Sequence, residues 1–131
     1  MRVAALLVLA LLAGCSYPAD PDGTLERVEG GVLRAGVSPS PRSRTEVALI
    51  ERFARRLDAR VVWVRDGEEH LVERLEKGEL DVAVGGLTKT SPWSAHAALT
   101  RPYDGEHVMA APLGENAWLV RLERFLIEEA P

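Results

Sequence analysis

Three short stretches carry the residue types with chemistry to offer. Gly85-Gly86-Leu87-Thr88-Lys89-Thr90 sets two glycines beside two hydroxyls. Glycines let a ligand approach the backbone closely. The following Thr90-Ser91-Pro92 reads as the cap of a short helix from Trp93 to Ala97, whose free amides would favour an anion. Ser38-Pro39-Ser40 and Gly67 with its neighbours are the other two stretches. Two readings fit these residues: the lining of a small polar ligand's site, or ordinary turns. Catalysis fits less well. His70, His96 and His107 are isolated, without HExxH or His-rich spacing, and Gly85 to Thr90 lacks the Gly-Lys-Ser/Thr of a phosphate-binding loop. The carboxylates fall on helix faces and termini, where solvated and capping roles are commoner than acid–base work. No motif calls for a cofactor or a metal, and a single cysteine excludes an intramolecular disulfide, a Cys-rich zinc site and a CxxC pair.

The elements that must position these stretches follow from periodicity. Val32 to Val37 is a short apolar strand ended by Ser38-Pro39-Ser40-Pro41. Ser43-Arg44-Thr45-Glu46 fits a capping box, and Val47, Ile50, Phe53, Ala54 and Leu57 follow at helical spacing as one buried stripe. Arg60 to Arg65 is β-branched and too short for most helices. Asp66-Gly67-Glu68-Glu69 reads as a second capping box, with Leu71, Val72 and Leu75 inward and Gly78 as the stop. Leu80 to Leu87 is a continuous apolar run, as in strands covered on both faces. This alternation predicts a βαβαβ unit with a parallel sheet, hence a three-layer α/β fold. His107 to Pro112 adds a strand, and Gly114-Glu115-Asn116 opens a final helix with Trp118, Leu119, Leu122, Phe125 and Leu126 on one face. In open α/β sheets ligands sit beyond the carboxyl ends of the strands, which is where the three stretches meet. Trp63 and Trp118 read as core, Lys89 as an exposed turn residue, and Trp93 as the indole to expect in contact with a ligand.

The first residues are of a different kind. Met1-Arg2 is followed by an unbroken apolar stretch from Val3 to Leu12, too short to span a bilayer, which takes roughly 20 residues. It has the length and flanks of a secretory signal. Leu12-Ala13-Gly14-Cys15 resembles the lipobox of bacterial lipoproteins, which would make Cys15 the lipidated first residue of the mature chain; a simple export signal with an incidental cysteine, or a buried structural cysteine, is the alternative. The organisation expected is a signal peptide over 1–14, the lipidated Cys15 with a Pro/Asp/Gly/Glu-rich tether to residue 31, and one lobe over 32–129. The formal charge of −4 becomes −5 once Arg2 leaves, with 15 basic residues against 20 acidic. That balance argues against nucleic acid as a partner.

"VLRAGVSPSP", "GELDVAVGGLTKT" and "LTRPY" resemble the first lobe of the extracytoplasmic solute-binding proteins of family 3, and "HVMAAPLGENAWLVRLERFL" resembles the return to that lobe at their end. The resemblance covers most of Val32 to Ile127 and implies a type II periplasmic-binding-protein fold that serves ABC importers. It also implies ligand contacts at Gly86, Leu87 and Thr88, with Ser38 and Pro39 lining the other side of the cleft. Where the family usually has an Arg that grips an α-carboxylate, this chain has Trp93, which offers one N–H and an apolar face. Asp104-Gly105, a favoured two-residue turn, stands where the family's chain crosses into its second lobe. The expectation is therefore a single lobe with half a cleft. It would be anchored by lipid on the outer face of a membrane and hold a small polar solute weakly. An interaction lobe docking to a permease, a sensor or another protein is the alternative.

Overall fold

The computed structural model describes Pro18 to Ala130. Cys15 and the apolar stretch before it lie outside the described residues. A five-stranded sheet in the order β2-β1-β3-β5-β4 forms the middle layer. Its strands are β1 (Val32–Val37), β2 (Arg60–Arg65), β3 (Val82–Val84), β4 (Ala98–Leu99) and β5 (Ala110–Ala111). β1 lies parallel to both β2 and β3, which is the expected βαβαβ unit. β5 then runs antiparallel between β3 and β4, so the sheet is mixed. The expected strand from His107 to Pro112 pairs regularly only at its centre. His107 makes one isolated bridge to Thr88, and the chain is otherwise held by single bonds such as Val108 N–H to Leu87 O.

Helices α2 (Ser43–Arg56) and α4 (Asn116–Glu129) cover one face, while α3 (Glu68–Glu76) covers the other. Alternation along each strand feeds both cores. Val82 and Val84 face the α2/α4 side with Leu33, Ala35 and Val37, and Ala83 faces the α3 side with Leu71, Leu75 and Leu80. Phe53 packs against Trp118 and Phe125 at ring-centroid separations of 5.3 and 5.1 Å, so the two helices share one aromatic cluster. Trp118 is fully buried and its indole N–H donates to the Asp81 carbonyl at 2.7 Å, in keeping with its reading as core. Trp63, half-buried, packs on the same cluster.

The segment expected to be tether is partly folded. Thr24 to Val28 forms helix α1, with Thr24 and Val28 buried. The composition that suggested a linker supplies caps instead. Asp20 accepts from the Leu25 amide at 3.0 Å and the Trp118 amide at 2.9 Å, holding the starts of α1 and α4 together. Buried Glu115 accepts from the Thr24 hydroxyl at 2.6 Å. Arg27 and Arg34 converge on buried Asp81, tying α1 to the sheet. The lobe therefore begins near Asp20 rather than at residue 32.

Neither capping box forms as the sequence suggested. The Ser43 hydroxyl turns back to the Ser38 carbonyl at 2.6 Å, and Glu46 points into the protein. Asp66 accepts from the Gly67 amide at 2.7 Å and faces His70 at 3.1 Å, while α3 has no side-chain cap. Gly78, at φ 71°, does end α3 as expected.

Candidate functional site

The loops after β1, β2 and β3 meet at the carboxyl edge of the parallel strands. After β1, Ser38 is buried and Pro39 exposed. After β3, the chain turns through Gly85 at φ 144° and Gly86 at φ 76°, conformations that disfavour a side chain. The two loops touch. A Cβ on Gly85 would fall 1.9 Å from the Ser38 hydroxyl oxygen, and one on Gly86 would fall 2.8 Å from that of Ser40. The glycines thus admit the neighbouring loop, not an open space.

Their amides are also occupied. The Glu46 carboxylate, fully buried, accepts from the Gly85 N–H at 2.8 Å and the Gly86 N–H at 2.9 Å. Its other oxygen accepts from the Tyr103 hydroxyl at 2.6 Å. Arg42 donates to the Tyr103 oxygen at 3.3 Å and to Asp104 at 3.1 Å. Burial and the hydrogen bond to Glu46 push the Tyr103 phenol well above its ordinary range. The result is a connected chain of polar groups from the hairpin tip at Asp104 to the Gly85-Gly86 turn. Sequence reasoning assigned Glu46 to a helix cap and gave Arg42 no role. One signal was available: Glu46 lies on the same helical stripe as Ile50 and Phe53, where a carboxylate needs a partner.

An open groove of about 450 Å³ lies beside this turn, lined by Val37, Ser38, Pro39, Ser43, Arg65, Asp66 and Gly67. Of the residues expected to bind, Ser38 and Pro39 line it and Gly86, Leu87, Thr88 and Trp93 do not. Leu87 is buried in the α3-side core, where it shares a narrow crevice with Ser38 and Glu68. The Thr88 amide donates to the Ser91 hydroxyl at 3.0 Å, and its hydroxyl sits 3.1 Å from that of Thr90. Trp93 is half-buried against the α3-side core, and its indole N–H donates to Glu68. The expected helix from Trp93 to Ala97 is a 3-10 turn from Pro92 to Ala95, and Ser91 does not cap it. Four residues align too few amides to act as an anion site.

At the groove's rim the Asp66 carboxylate is held below its ordinary range by the His70 imidazole and the Gly67 N–H, and His70 is raised by Asp66. Among the described residues no group of three His, Cys, Asp or Glu could hold a metal ion.

The family model for bacterial extracellular solute-binding proteins, family 3, matches residues 45–124. That span runs from the start of α2 through most of α4. The chain belongs to this family. Membership places it on the extracytoplasmic side, in a family of solute-binding proteins. Domain 1 of TmArgBP, solved in an arginine-bound form, shares the fold with a TM-score of 0.66 at 22% identity. The match covers 75% of this chain and 93% of that one. An ancestral cyclohexadienyl dehydratase matches with a TM-score of 0.51 at 24% identity, over 67% of this chain and 40% of that one. Membrane-bound lytic murein transglycosylase F of Idiomarina loihiensis is 31% identical over 109 residues, which is 76% of this chain and 24% of that protein. The chain thus spans about a quarter of that relative's length. The family and the arginine-bound neighbour are binding proteins, whereas the transglycosylase and the dehydratase are named as enzymes.

Proposed function

We propose that the chain is a solute-binding module anchored by lipid at Cys15, holding a small polar solute in a half-cleft. The observation that carries this reading is the match to nearly the whole of domain 1 of TmArgBP, a single lobe solved with arginine bound. A cationic amino acid is therefore the first solute to test. The groove beyond β1 and β2 receives it, with Ser38, Pro39 and Asp66 at its wall. Trp93 donates its indole N–H to Glu68, the residue next to Gly67 of the groove wall. Half a cleft limits the affinity. A micromolar site is worth about −8 kcal/mol, and half of that, about −4 kcal/mol, is millimolar.

Calorimetric titration of the protein with arginine, lysine, glutamate and glutamine tests the proposal. The expected result is millimolar binding of the cationic amino acids, weakened by Trp93→Ala. Glutamate should bind worse, and Trp93→Arg should improve it by supplying a bidentate partner for its carboxylate. No heat with any of the four at concentrations well above millimolar would overturn the solute-binding reading.

A second reading, a lobe that docks to a permease, a sensor or another protein, draws on the curated relative, where the matching segment is a minor part of a longer membrane-bound protein. Silence in the titrations would favour it.

A further inference from the structure

The lobe carries four exposed large apolar side chains among the described residues: Val62, Leu113, Val120 and Ile127. Val62 is alone on the edge strand β2. Leu113 lies beside the end of α3, near Leu75, Glu76 and Gly78. Val120 and Ile127 are seven residues apart on α4, hence on one face of it. Ile127 is 73% exposed and Val120 37%. Beside this stripe runs a groove of about 330 Å³ lined by Phe53, Arg56, Arg121, Arg124, Phe125 and Glu128. Three guanidinium groups therefore flank an apolar strip. Arg56 pairs with Glu128 and Glu129, and Arg121 with Glu29, all partly exposed pairs of the kind worth little. Among the described residues Arg124 makes no ion pair.

The place where the chain enters the lobe limits how far this surface can stand from an anchor at Cys15. The Ala19 carbonyl accepts from the Asn116 N–H at 3.1 Å and Asp20 caps Trp118, so the backbone is fixed at the first turn of α4. Cys15 precedes Ala19 by four residues, which even fully extended reach about 14 Å. A lipid at Cys15 consequently holds the start of α4 within that distance of the bilayer surface, where a sixteen-residue tether would have left the lobe free to turn.

We infer that the outer face of α4 is a membrane-contact surface, with Val120 and Ile127 at the level of the lipid glycerols and the Arg56, Arg121 and Arg124 groove receiving lipid phosphates. Shallow burial of an apolar helix stripe beside basic residues is how an interfacial helix holds a bilayer. This surface lies apart from the strand ends that form the groove beyond β1 and β2. The inference rests on the lipid anchor at Cys15 proposed above, and its test separates the two.

The protein, expressed with its own leader in a bacterium fed labelled palmitate, is reconstituted into phosphatidylglycerol vesicles with or without bromine on the acyl chains. Where Cys15 carries no palmitate, the same protein is coupled through that thiol to maleimide lipid, so the orientation is read in either case. Ile127→Trp adds a reporter on the stripe and Val62→Trp adds one on the far edge. The fluorescence added at 127 should fall at least ~2-fold in brominated vesicles while that added at 62 stays unchanged, since only an interfacial residue approaches the acyl chains. Arg124→Glu in the Ile127→Trp background should reduce that quenching, whereas Arg55→Glu on α2 should not. Equal quenching at 62 and 127, or none at either, would overturn the contact surface. Absence of palmitate together with selective quenching at 127 would remove the natural anchor and leave the surface standing.

Discussion

A buried carboxylate decides the shape of the loop after β3. Glu46, on α2, accepts from two glycine amides of the loop after β3 and from the Tyr103 phenol. Each group left unsatisfied costs about 1–3 kcal/mol. Glu46→Ala should therefore lower stability by ~3 kcal/mol or more in urea melts, while Tyr103→Phe should cost only ~1 kcal/mol. Glu46→Gln should lie between them, because its amide oxygen still accepts from the glycines and its NH₂ group can donate to the Tyr103 oxygen. A Glu46→Ala variant within about 0.5 kcal/mol of wild type, the range of an ordinary surface substitution, would remove Glu46 from this role. The sequence concealed that role for a definite reason. Ser-x-x-Glu before an apolar stripe is a local cap signature, and the amides that Glu46 serves are 39 and 40 residues away. A long-range partner leaves no local spacing to read.

At the scale of elements, the hairpin from Tyr103 to His107 is one residue wider than the two-residue Asp-Gly turn expected from the sequence. The Tyr103 N–H donates to the His107 carbonyl at 3.0 Å, leaving three residues in the loop, with Gly105 at φ 86°. Asp104 organises it by accepting from the Glu106 and His107 amides at 3.0 and 2.7 Å. Partial desolvation works against ionisation of Asp104, but the His107 and Glu106 amides and the His107 imidazole outweigh it and hold the carboxyl down to about 2. A lowered folded-state value means stability that is fully present above the unfolded value of about 4 and is lost as pH falls toward 2. Acid melts between pH 5 and pH 2 should show that loss in the wild type and a shallower one in Asp104→Asn. Identical slopes would mean that Asp104 does not anchor the hairpin. The βαβαβ core was legible because its strands and helices announce themselves by period and length. The pairing of β4 and β5 was not, since each has two ladder residues and alternation cannot register in so short a run. Helix α1 was hidden for the opposite reason: at five residues it has too little pattern of its own, and its order comes from Asp20, Glu115 and Asp81.

For the whole molecule, the decisive property is that the described lobe closes on itself. The hairpin joins the outgoing and returning segments, Trp118 and Phe125 seal the α2/α4 core, and the family resemblance that suggested one lobe is matched by a fold shared with a single isolated domain. Two-lobed clefts tighten by bringing rigid bodies together around a hinge. A single sheet with covered faces has no such motion available, so a solute can fill the groove beside Ser38 and Asp66 without changing the overall dimensions. A compact domain of this length has a radius of gyration near ~13 Å. Small-angle scattering on the folded protein should give that value for its ordered mass, and saturating arginine should leave it unchanged. A contraction on adding arginine, at concentrations where the monomer persists, would require a closing body that the hairpin at Asp104 precludes. An increase toward the value for two lobes would mean instead that a second copy completes the cleft. In that case binding and association should rise together with protein concentration, which sedimentation under the same conditions would measure directly.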